Sequence, residues 1–243
     1  MNGPMISMPA LTAALSRERL SRYRQAGDPD AMVLARYAWN HAISDAMNLP
    51  LHIFEVTLRN TIDRVGRSIA GPITSHGGVP SWLDAQPSLL APAHVASTTE
   101  ARENLRKRGA PRTPGRLVAE MSLGFWVLLF GSYYDQGAGR HGRLGFQLWT
   151  ATNLRSAFPN LGSGRDREKI RKEFDAIRLY RNRIAHHEPI FDLKPLARYA
   201  EIARAIRWMS ADAAEYVNAL ETVRAVVAAG PVAFLGRCES LLA

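Results

Sequence analysis

Apolar residues recur along most of this chain at spacings of three and four, which is the period of an α-helix buried on one face. The clearest stripe follows Pro50 and is formed by large apolar side chains: Leu51, Phe54, Leu58, Ile62, Val65 and Ile69. No apolar–polar alternation of useful length suggests a β-strand. The pattern therefore predicts an all-α protein whose core is a helical bundle.

Glycine, proline and capping residues divide this pattern into separate helices. We expect helices at about 11–25, 30–47, 50–69, 92–108, 114–130, 146–157, 165–187, 195–209 and 210–229. Pro50 is placed near the start of its helix. Capping signals precede three of the helices: Thr113-Pro114, Ser163 to Asp166 and Ser210. Gly/Pro-rich loops are expected at 71–80 and 131–145, and a short apolar tail follows position 231.

The composition narrows the choice of function. The chain has 243 residues, of which 47% are hydrophobic, so a substantial core is available. A formal net charge of +9 suits a polyanionic partner such as a nucleic acid, but nearly all the basic residues are arginine, a bias that genome composition alone can produce. Cys238 is the only cysteine, which excludes an intrachain disulfide and a cysteine-based zinc site and fits a reducing cytosol. Neither a signal peptide nor a membrane span is apparent, so we expect a cytoplasmic protein without membrane contact.

The predicted helix 165–187 places a charge where its stripe requires an apolar residue. Arg181 lies at the centre of a narrow face that is otherwise apolar: Ile170, Phe174, Ile177, Ile184 and Ala185. A cation directed at a packing seam costs free energy unless an anionic group meets it there. Asn182 and His186, four residues apart, share the next face, and Arg178 lies between them and the stripe. A fixed cation, an amide and an imidazole around one groove suit a phosphate group and proton transfer near neutral pH.

The same residues carry a resemblance to a known family. Arg181, Asn182 and His186 resemble the Arg-Asn-x-x-x-His signature of the HEPN superfamily of small α-helical domains. The longer string, 181–191, resembles the Abi-like (abortive infection) branch of that superfamily. Four further stretches agree in order and spacing: 37–40, 54–60, 115–126 and 154–159. The resemblance implies one Abi-like HEPN domain over 1–243: a HEPN-type helical bundle with additional helices, core helices at about 30–70 and 165–229, and a family-specific insert at about 71–164.

Many HEPN domains are metal-independent ribonucleases, so the resemblance implies an endoribonuclease that needs no metal and no cofactor. The ribose 2′-OH would attack the adjacent phosphorus and leave a 2′,3′-cyclic phosphate, and DNA would not be cut because it lacks this hydroxyl. Arg181 is expected to stabilise charge on the phosphoryl oxygens and His186 to act as base or acid. Asn182 is expected to orient His186 or to hold a phosphate oxygen.

The resemblance also implies partners and a setting. HEPN proteins dimerise so that two sets of Arg and His face one groove, which implies a homodimer with a composite active site. RNA is the expected substrate, and a regulatory RNA or protein partner is compatible with this class of protein. The implied role is phage defence by abortive infection or toxin-like growth arrest.

Several roles stay open. His187 also fits the looser Arg-to-His spacing of the superfamily and can be a partner of His186 or a substrate contact. Glu55 and Arg59 form either an ion pair one turn apart beside the core or, as the resemblance favours, a pair in which Glu55 orients Arg181 or His186. The alternatives for the whole protein are a non-catalytic RNA- or protein-binding module and a helical scaffold in which Arg181 is a buried ion pair.

Two groups of basic residues are candidates for RNA contact. Arg178 and Arg183 accompany the Arg-Asn-x-x-x-His residues on the same helix. The densest basic segment, 101–116, contains Arg106, Lys107 and Arg108, and its only acidic residue is Glu103. This segment is either a solvated helix end with its loop or a surface that follows the RNA strand.

Overall fold

Helices are the regular elements of the computed structural model, which describes residues 5–70, 81–85, 88–135, 147–163 and 166–242. The α-helices are α1 Met8–Leu15, α2 Arg17–Ser21, α3 Asp30–Ala70, α4 Pro92–Lys107, α5 Pro114–Glu120, α6 Leu123–Leu128, α7 Ala151–Ala157, α8 Arg167–Ala185, α9 Pro195–Met209, α10 Ala211–Leu220, α11 Val223–Ala229 and α12 Val232–Leu242. Short 3₁₀ helices occupy Trp82–Asp84 and Ser132–Tyr134. The described ranges contain an isolated β-bridge, Asp135 to Trp149, and no strand. The predicted all-α class is confirmed.

The prediction of separate helices before and after Pro50 was wrong. Helix α3 runs unbroken for 41 residues with Pro50 inside it. A proline within a helix costs about 3 kcal/mol, because it lacks an N–H and crowds the preceding turn. The apolar stripe continues on both sides of Pro50, and its members are at most 6% exposed: Ile43, Met47, Leu51 and Phe54. Burying each such side chain contributes roughly 1.5–3 kcal/mol, so burial along the stripe outweighs the cost of the proline.

Other predicted helices are divided by serine residues. The predicted helix 11–25 breaks at Ser16, whose φ of 69° is left-handed, into α1 and α2. The predicted helix 114–130 breaks before Ser122, whose Oγ accepts a hydrogen bond from Phe125 N at 3.2 Å and caps α6. Serine competes for nearby backbone groups in this way and therefore favours helix ends over helix interiors. The helix expected from 146 begins only at Ala151, the one expected at 210–229 forms α10 and α11, and the apolar tail forms α12.

The capping predictions are confirmed. Side-chain oxygens of Thr113, Asp166 and Ser210 each accept a hydrogen bond from the backbone N–H three residues later, at 3.3, 2.8 and 3.2 Å. Within the predicted signal 163–166, positions 164 and 165 lie outside the described residues, as do the predicted loop 71–80 and positions 136–145 of the predicted loop 131–145.

The chain divides into two compact units, each built from several segments. The first unit comprises the described residues of Met1–Leu51, Tyr180–Ile202 and Val217–Ala243, and the second comprises those of His52–Leu179 and Ala203–Tyr216. The core of the first unit contains buried side chains from its N-terminal helices and from α12: Leu20, Tyr23, Ala31, Val33, Leu34, Ala35 and Cys238. No single helix among the described residues is long and apolar enough to cross a bilayer; Ala211–Ala229 and Val232–Leu242 meet that requirement only as a pair, which bends by 63°.

An aromatic cluster forms the core of the second unit and anchors α8. Phe130 stacks on Trp149, with ring centroids 4.2 Å apart and planes 12° apart. Phe174 of α8 meets Phe54 and Phe130 edge-on, at 5.3 and 5.4 Å. The predicted α8 stripe is confirmed at Ile170, Phe174 and Ile177, which are at most 3% exposed.

The predicted α8 stripe was wrong at its C-terminal end. Ile184 is only half-buried and Ala185 is exposed. Within the first unit, Tyr180 is instead the buried residue of this turn, at 4% exposure. The buried face of α8 therefore departs from the predicted one near the helix end, where residues 181–184 are half-buried and Ala185 is exposed.

Gly66 is expected to tolerate no side chain. A Cβ atom there would lie 2.3 Å from Cε2 of the buried Trp82, whose indole Nε1 donates to Asp63 Oδ1 at 2.9 Å. We expect Gly66→Ala to lower the free energy of unfolding by about 1–3 kcal/mol, because the indole must shift. The matched control is Gly236→Ala in α12, where no atom lies within 4 Å and removal of glycine should stabilise by up to about 1 kcal/mol. Urea unfolding of both variants checks the prediction, and equal effects would contradict it.

His94 is expected to make stability depend on pH. It is 8% exposed, its Nδ1 lies 3.0 Å from the Tyr134 hydroxyl, and burial lowers the pKa of His94 below its ordinary 6.5. Below pH 6.5 the unfolded chain therefore binds a proton at His94 that the folded chain does not. The contribution of His94 to the free energy of unfolding is thus fully present above pH 6.5 and is lost as the pH falls below it. His94→Gln should flatten the slope of unfolding free energy between pH 6.5 and 5, whereas His52→Gln at an exposed position should not. An unchanged slope in His94→Gln would show that protonation of His94 does not affect the free energy of unfolding.

Candidate functional site

Helix α8 ends in a fixed turn that sets the positions of both histidines. His187 N donates to Ile184 O at 3.0 Å, and Glu188 N donates to Arg183 O at 2.9 Å. This pair of bonds is a Schellman motif, with His186 as the last half-helical residue and His187 at the left-handed position that follows. The motif satisfies carbonyls that the helix end would otherwise leave open, so the turn has one well-defined geometry.

His187 occupies a conformation that usually belongs to glycine. Its φ is 56°, whereas an L-residue in this region brings its Cβ close to the backbone. Histidine is more common there than most residues, but the conformation still costs free energy relative to glycine. Backbone strain of this kind is concentrated at functional sites, where a particular side chain must stand at a particular place.

Two residues distant in sequence hold this turn in place. Arg19 Nη1, on α2, donates to the carbonyl oxygen of His187 at 2.7 Å. The Asn40 side chain, on α3, accepts from Ile190 N and Phe191 N at 2.7 and 3.1 Å. Asn40 is only 5% exposed and Ile190 is fully buried, so the backbone N–H of Ile190 depends on this amide oxygen rather than on water. The segment is therefore anchored at its helix-terminating residue and again just after Pro189.

A cavity of about 200 Å³ opens beside the turn, within the first unit. Its walls come from α3, from the end of α8 and from the segment after α2: Tyr23, Tyr37, Asn40, His41, Ser44, Ile184 and His187. Asn40 Nδ2 donates to the Tyr23 hydroxyl at 3.2 Å. Burial, followed by the proximity of Tyr37, raises the pKa of Tyr23 to about 12, so this hydroxyl keeps its proton at neutral pH.

The predicted catalytic residues occupy the last turn and a half of α8. Arg181 and Asn182 are half-buried, and His186 is exposed. The backbone bond from His186 N to Asn182 O, at 2.9 Å, places these two residues one helical turn apart, as predicted. The turn thus displays a cation, an amide and an imidazole that solvent can reach. His187 is not equivalent to His186, because it lines the cavity and adopts the left-handed conformation.

Carboxylates accompany most of the arginines predicted to contact RNA. Arg178 Nε donates to Asp175 Oδ1 at 2.8 Å, and Arg183 Nε lies 3.1 Å from Glu188 Oε2 at ion-pair distance, though without an aligned hydrogen bond. In the segment 101–116, Arg106 makes two hydrogen bonds to Glu103, at 2.7 and 2.6 Å.

Carboxylates from outside this segment also contact it. Arg102 pairs with Asp84 at 2.6 Å, and Arg108 pairs with Glu120. Lys107 is exposed. Acidic residues distant in sequence therefore approach this segment in the fold, in addition to Glu103 within it. Its positive surface is weaker than a count of its own residues predicts.

Glu55 and Arg59 lie one turn apart on α3, within the second unit, and both are half-buried. The roles predicted for them, including the orientation of Arg181 or His186 by Glu55, stay predictions. Within the described ranges, no group of three or more His, Cys, Asp and Glu side chains could hold a metal ion.

The residues that support the turn could not be predicted from the sequence. Arg19 and its partner His187 are 168 positions apart, and no periodicity or spacing connects them. Asn40 did stand in one of the stretches that carried the resemblance, 37–40, but its role was not apparent. Comparison of the chain with protein-family models, with curated proteins and with solved structures finds no match. The assignment of a function therefore depends on the residues themselves.

Proposed function

We propose that this protein is a metal-independent endoribonuclease of the HEPN type, Abi-like in its sequence motifs. The observation that supports this best is the end of α8. A closed helix-terminating turn, held by Arg19 and Asn40, presents Arg181, Asn182 and His186 within one and a half turns. A rigid element that carries a cation and a proton carrier accessible to solvent meets the geometric needs of phosphoryl transfer.

The proposed reaction is an internal transphosphorylation. The ribose 2′-oxygen forms a bond to the adjacent phosphorus while the bond from phosphorus to the 5′-oxygen breaks. One group takes the 2′-hydroxyl proton, and another gives a proton to the departing 5′-oxygen. The products are a 2′,3′-cyclic phosphate and a free 5′-hydroxyl, so atoms and charges balance without a metal or a cofactor.

Each residue of the turn has a distinct role in this proposal. Arg181 stabilises the charge on the equatorial phosphoryl oxygens, an effect of about 3–4 kcal/mol for one well-placed donor. His186 transfers a proton, which typically accelerates a reaction about 10²–10⁴-fold. Asn182, one turn earlier on the same face, orients His186 or holds a phosphate oxygen. His187 contacts the substrate, since its imidazole borders the cavity.

One imidazole serves as base or as acid, and the reaction needs both. We propose that a second copy of the chain supplies the other, so that the active site is composite and the enzyme is a homodimer. The setting that the motifs favour is phage defence by abortive infection, or toxin-like growth arrest.

One observation favours a second candidate, a non-catalytic RNA- or protein-binding module. The imidazole of His186 is exposed to solvent at the end of α8, where it can take several orientations. A binding module would tolerate such freedom, whereas a catalytic base or acid needs a fixed direction at the moment of reaction. In the proposed enzyme, bound RNA or the partner subunit provides that orientation.

The test is incubation of the purified protein with total bacterial RNA, and with single-stranded DNA of matched sequence, in EDTA. Sequencing of the new ends should show discrete cuts in RNA with 2′,3′-cyclic phosphates, and intact DNA. Intact RNA that stays bound to the protein would favour the binding module. RNA neither cut nor bound would overturn both candidates.

Replacing His187 with glycine is expected to raise stability and to reduce RNA cleavage. His187→Gly should raise the free energy of unfolding by about 0.5–1 kcal/mol, because glycine adopts positive φ without a Cβ contact. The same change should reduce RNA cleavage, because the imidazole leaves the cavity. The matched control is Lys194→Gly: Lys194 is exposed, has a φ of 54° and lies outside the site, so it should gain stability with cleavage unchanged. Urea unfolding measures the stability of both variants, and cleavage rates measure their activity. A fully active His187→Gly would show that His187 is not part of the site.

A further inference from the structure

The cavity beside the turn has one wall built from a single face of α3. Tyr37, Asn40, His41 and Ser44 follow each other at helical spacing, so their side chains lie on the same side of the helix. Ile184 and His187 approach from α8, and Tyr23 completes the wall. His187, which lines the cavity, directly follows the proposed proton carrier His186 in the chain.

The size and the walls of the cavity limit what it can bind. At about 200 Å³ it is smaller than the roughly 300 Å³ at which pockets for drug-sized ligands begin, so it suits one small ring system. Tyr37 is half-buried and offers aromatic surface, and its ring packs edge-on against the buried Tyr23 ring, with centroids 4.9 Å apart and planes at 69°. Ser44 and His41 offer hydrogen bonds at its edges.

The polar groups around the cavity favour an uncharged ring over a phosphate. None of the seven lining residues is arginine or lysine, and a bound phosphate would lack a permanent cation. The nearby Arg19 guanidinium is already committed to the carbonyl oxygen of His187. His41 lies 3.6 Å from Asp45, so a carboxylate lies close to the histidine that α3 contributes to the cavity. A second anion here would be repelled.

We propose that this cavity binds one unstacked nucleobase of the RNA, next to the phosphate that is cut at His186. This inference rests on the proposed function, because it assigns the substrate of the same site. Tyr37 stacks on the base, as aromatic side chains do in proteins that bind single-stranded nucleic acid. His41 and Ser44, on the same face of α3, supply the hydrogen-bonding groups that meet the edge of the base. Cleavage then depends on the identity of one base and requires a single-stranded site.

Binding of non-cleavable RNA tests the subsite independently of catalysis. Five fluorescent 2′-O-methyl octamers are compared in EDTA: four carry a single central A, C, G or U among seven abasic positions, and the fifth is wholly abasic. Anisotropy titrations measure their affinities. We expect at least one base to bind about tenfold more tightly than the abasic octamer, as a stacked base typically does.

Two variants remove the base-dependent part of this affinity in different ways. Tyr37→Ala deletes the stacking surface, and Ser44→Leu fills the cavity from α3 without touching the turn. Each should reduce the tenfold gain to less than twofold and leave the affinity for the abasic octamer unchanged. Tyr37→Phe, which keeps the ring, should retain most of the gain. Tyr216→Ala removes a tyrosine that is 54% exposed on α10 and should change nothing.

The outcomes separate this inference from the proposed function. Equal affinity of the wild type for all five octamers, or a gain that survives Ser44→Leu, would overturn the nucleobase subsite. Loss of affinity for the abasic octamer in Tyr37→Ala would also count against it, since such a loss reports on backbone contact. A base-dependent gain without cleavage of unmodified RNA would support the subsite and overturn the ribonuclease. Cleavage of unmodified RNA without any base-dependent gain in affinity would support the ribonuclease and overturn the subsite.

Discussion

Replacing His186 with alanine is expected to slow RNA cleavage by about 10²–10⁴-fold. The free energy of unfolding should stay within about 0.5 kcal/mol of the wild-type value, because the side chain is exposed at the end of α8. RNA affinity should change little, since Arg181 and the cavity remain. Single-turnover cleavage in EDTA, urea unfolding and RNA binding measure these three quantities on the same preparations.

His52→Ala is the control for this prediction. His52 is also an exposed histidine on a helix, but it lies on α3 in the second unit and has no proposed role. It should cleave RNA at the wild-type rate. Wild-type cleavage rates in both variants would mean that His186 transfers no proton. His187 would then be the candidate for proton transfer. A loss of several kcal/mol of stability in His186→Ala would mean that the His186 side chain has a structural role.

Replacing Asn40 with leucine is expected to destabilise the protein by about 3–5 kcal/mol. Leucine has a similar size, but it leaves the backbone N–H groups of Ile190 and Phe191 without their acceptor. Each buried group left unpaired costs about 1–3 kcal/mol, and the Tyr23 hydroxyl loses its partner as well. Asn40→Asp keeps the acceptor oxygens and should lose less. Urea unfolding gives the free energies.

Asn48→Leu is the matched control, since Asn48 is an exposed asparagine on the same helix. It should change stability by no more than about 0.5 kcal/mol. A similar small change in Asn40→Leu would show that water or another group satisfies the two N–H groups, and that Asn40 does not hold the turn. If Asn40 does hold it, folded Asn40→Leu should also cleave RNA more slowly than folded Asn40→Asp, because only the leucine variant loses the acceptor that fixes the segment after the histidines.

The helices could be predicted from the sequence wherever local signals and burial agree. The stripe of α8 at Ile170, Phe174 and Ile177 follows from helical spacing, and Asp166 caps the helix as its residue type suggests. Prediction failed at Pro50, where local chemistry favours a break but continuous burial of the α3 stripe prevails. It failed at Ser16 for the opposite reason, because a left-handed serine ends a helix that the apolar pattern would continue.

The candidate site could be predicted only in part. Arg181, Asn182 and His186 stand close together in the sequence, so their shared helix end followed from spacing alone. The support given by Arg19 and Asn40 could not be found, because a hydrogen bond between residues 168 or 150 positions apart leaves no periodic pattern. The basic segment shows the same limit, since Asp84 and Glu120 reach its arginines only in the folded chain.

A single 2′-deoxy substitution tests the central claim most directly. Once a cut site is mapped, a synthetic RNA of that sequence is made with one 2′-deoxy nucleotide immediately 5′ of the scissile phosphate, and cleavage in EDTA is followed on a gel. Internal transphosphorylation predicts that the substituted RNA is bound but not cut at that phosphate, whereas the all-ribose RNA yields a 2′,3′-cyclic phosphate. Cleavage of the substituted RNA at the same place would contradict attack by the 2′-hydroxyl.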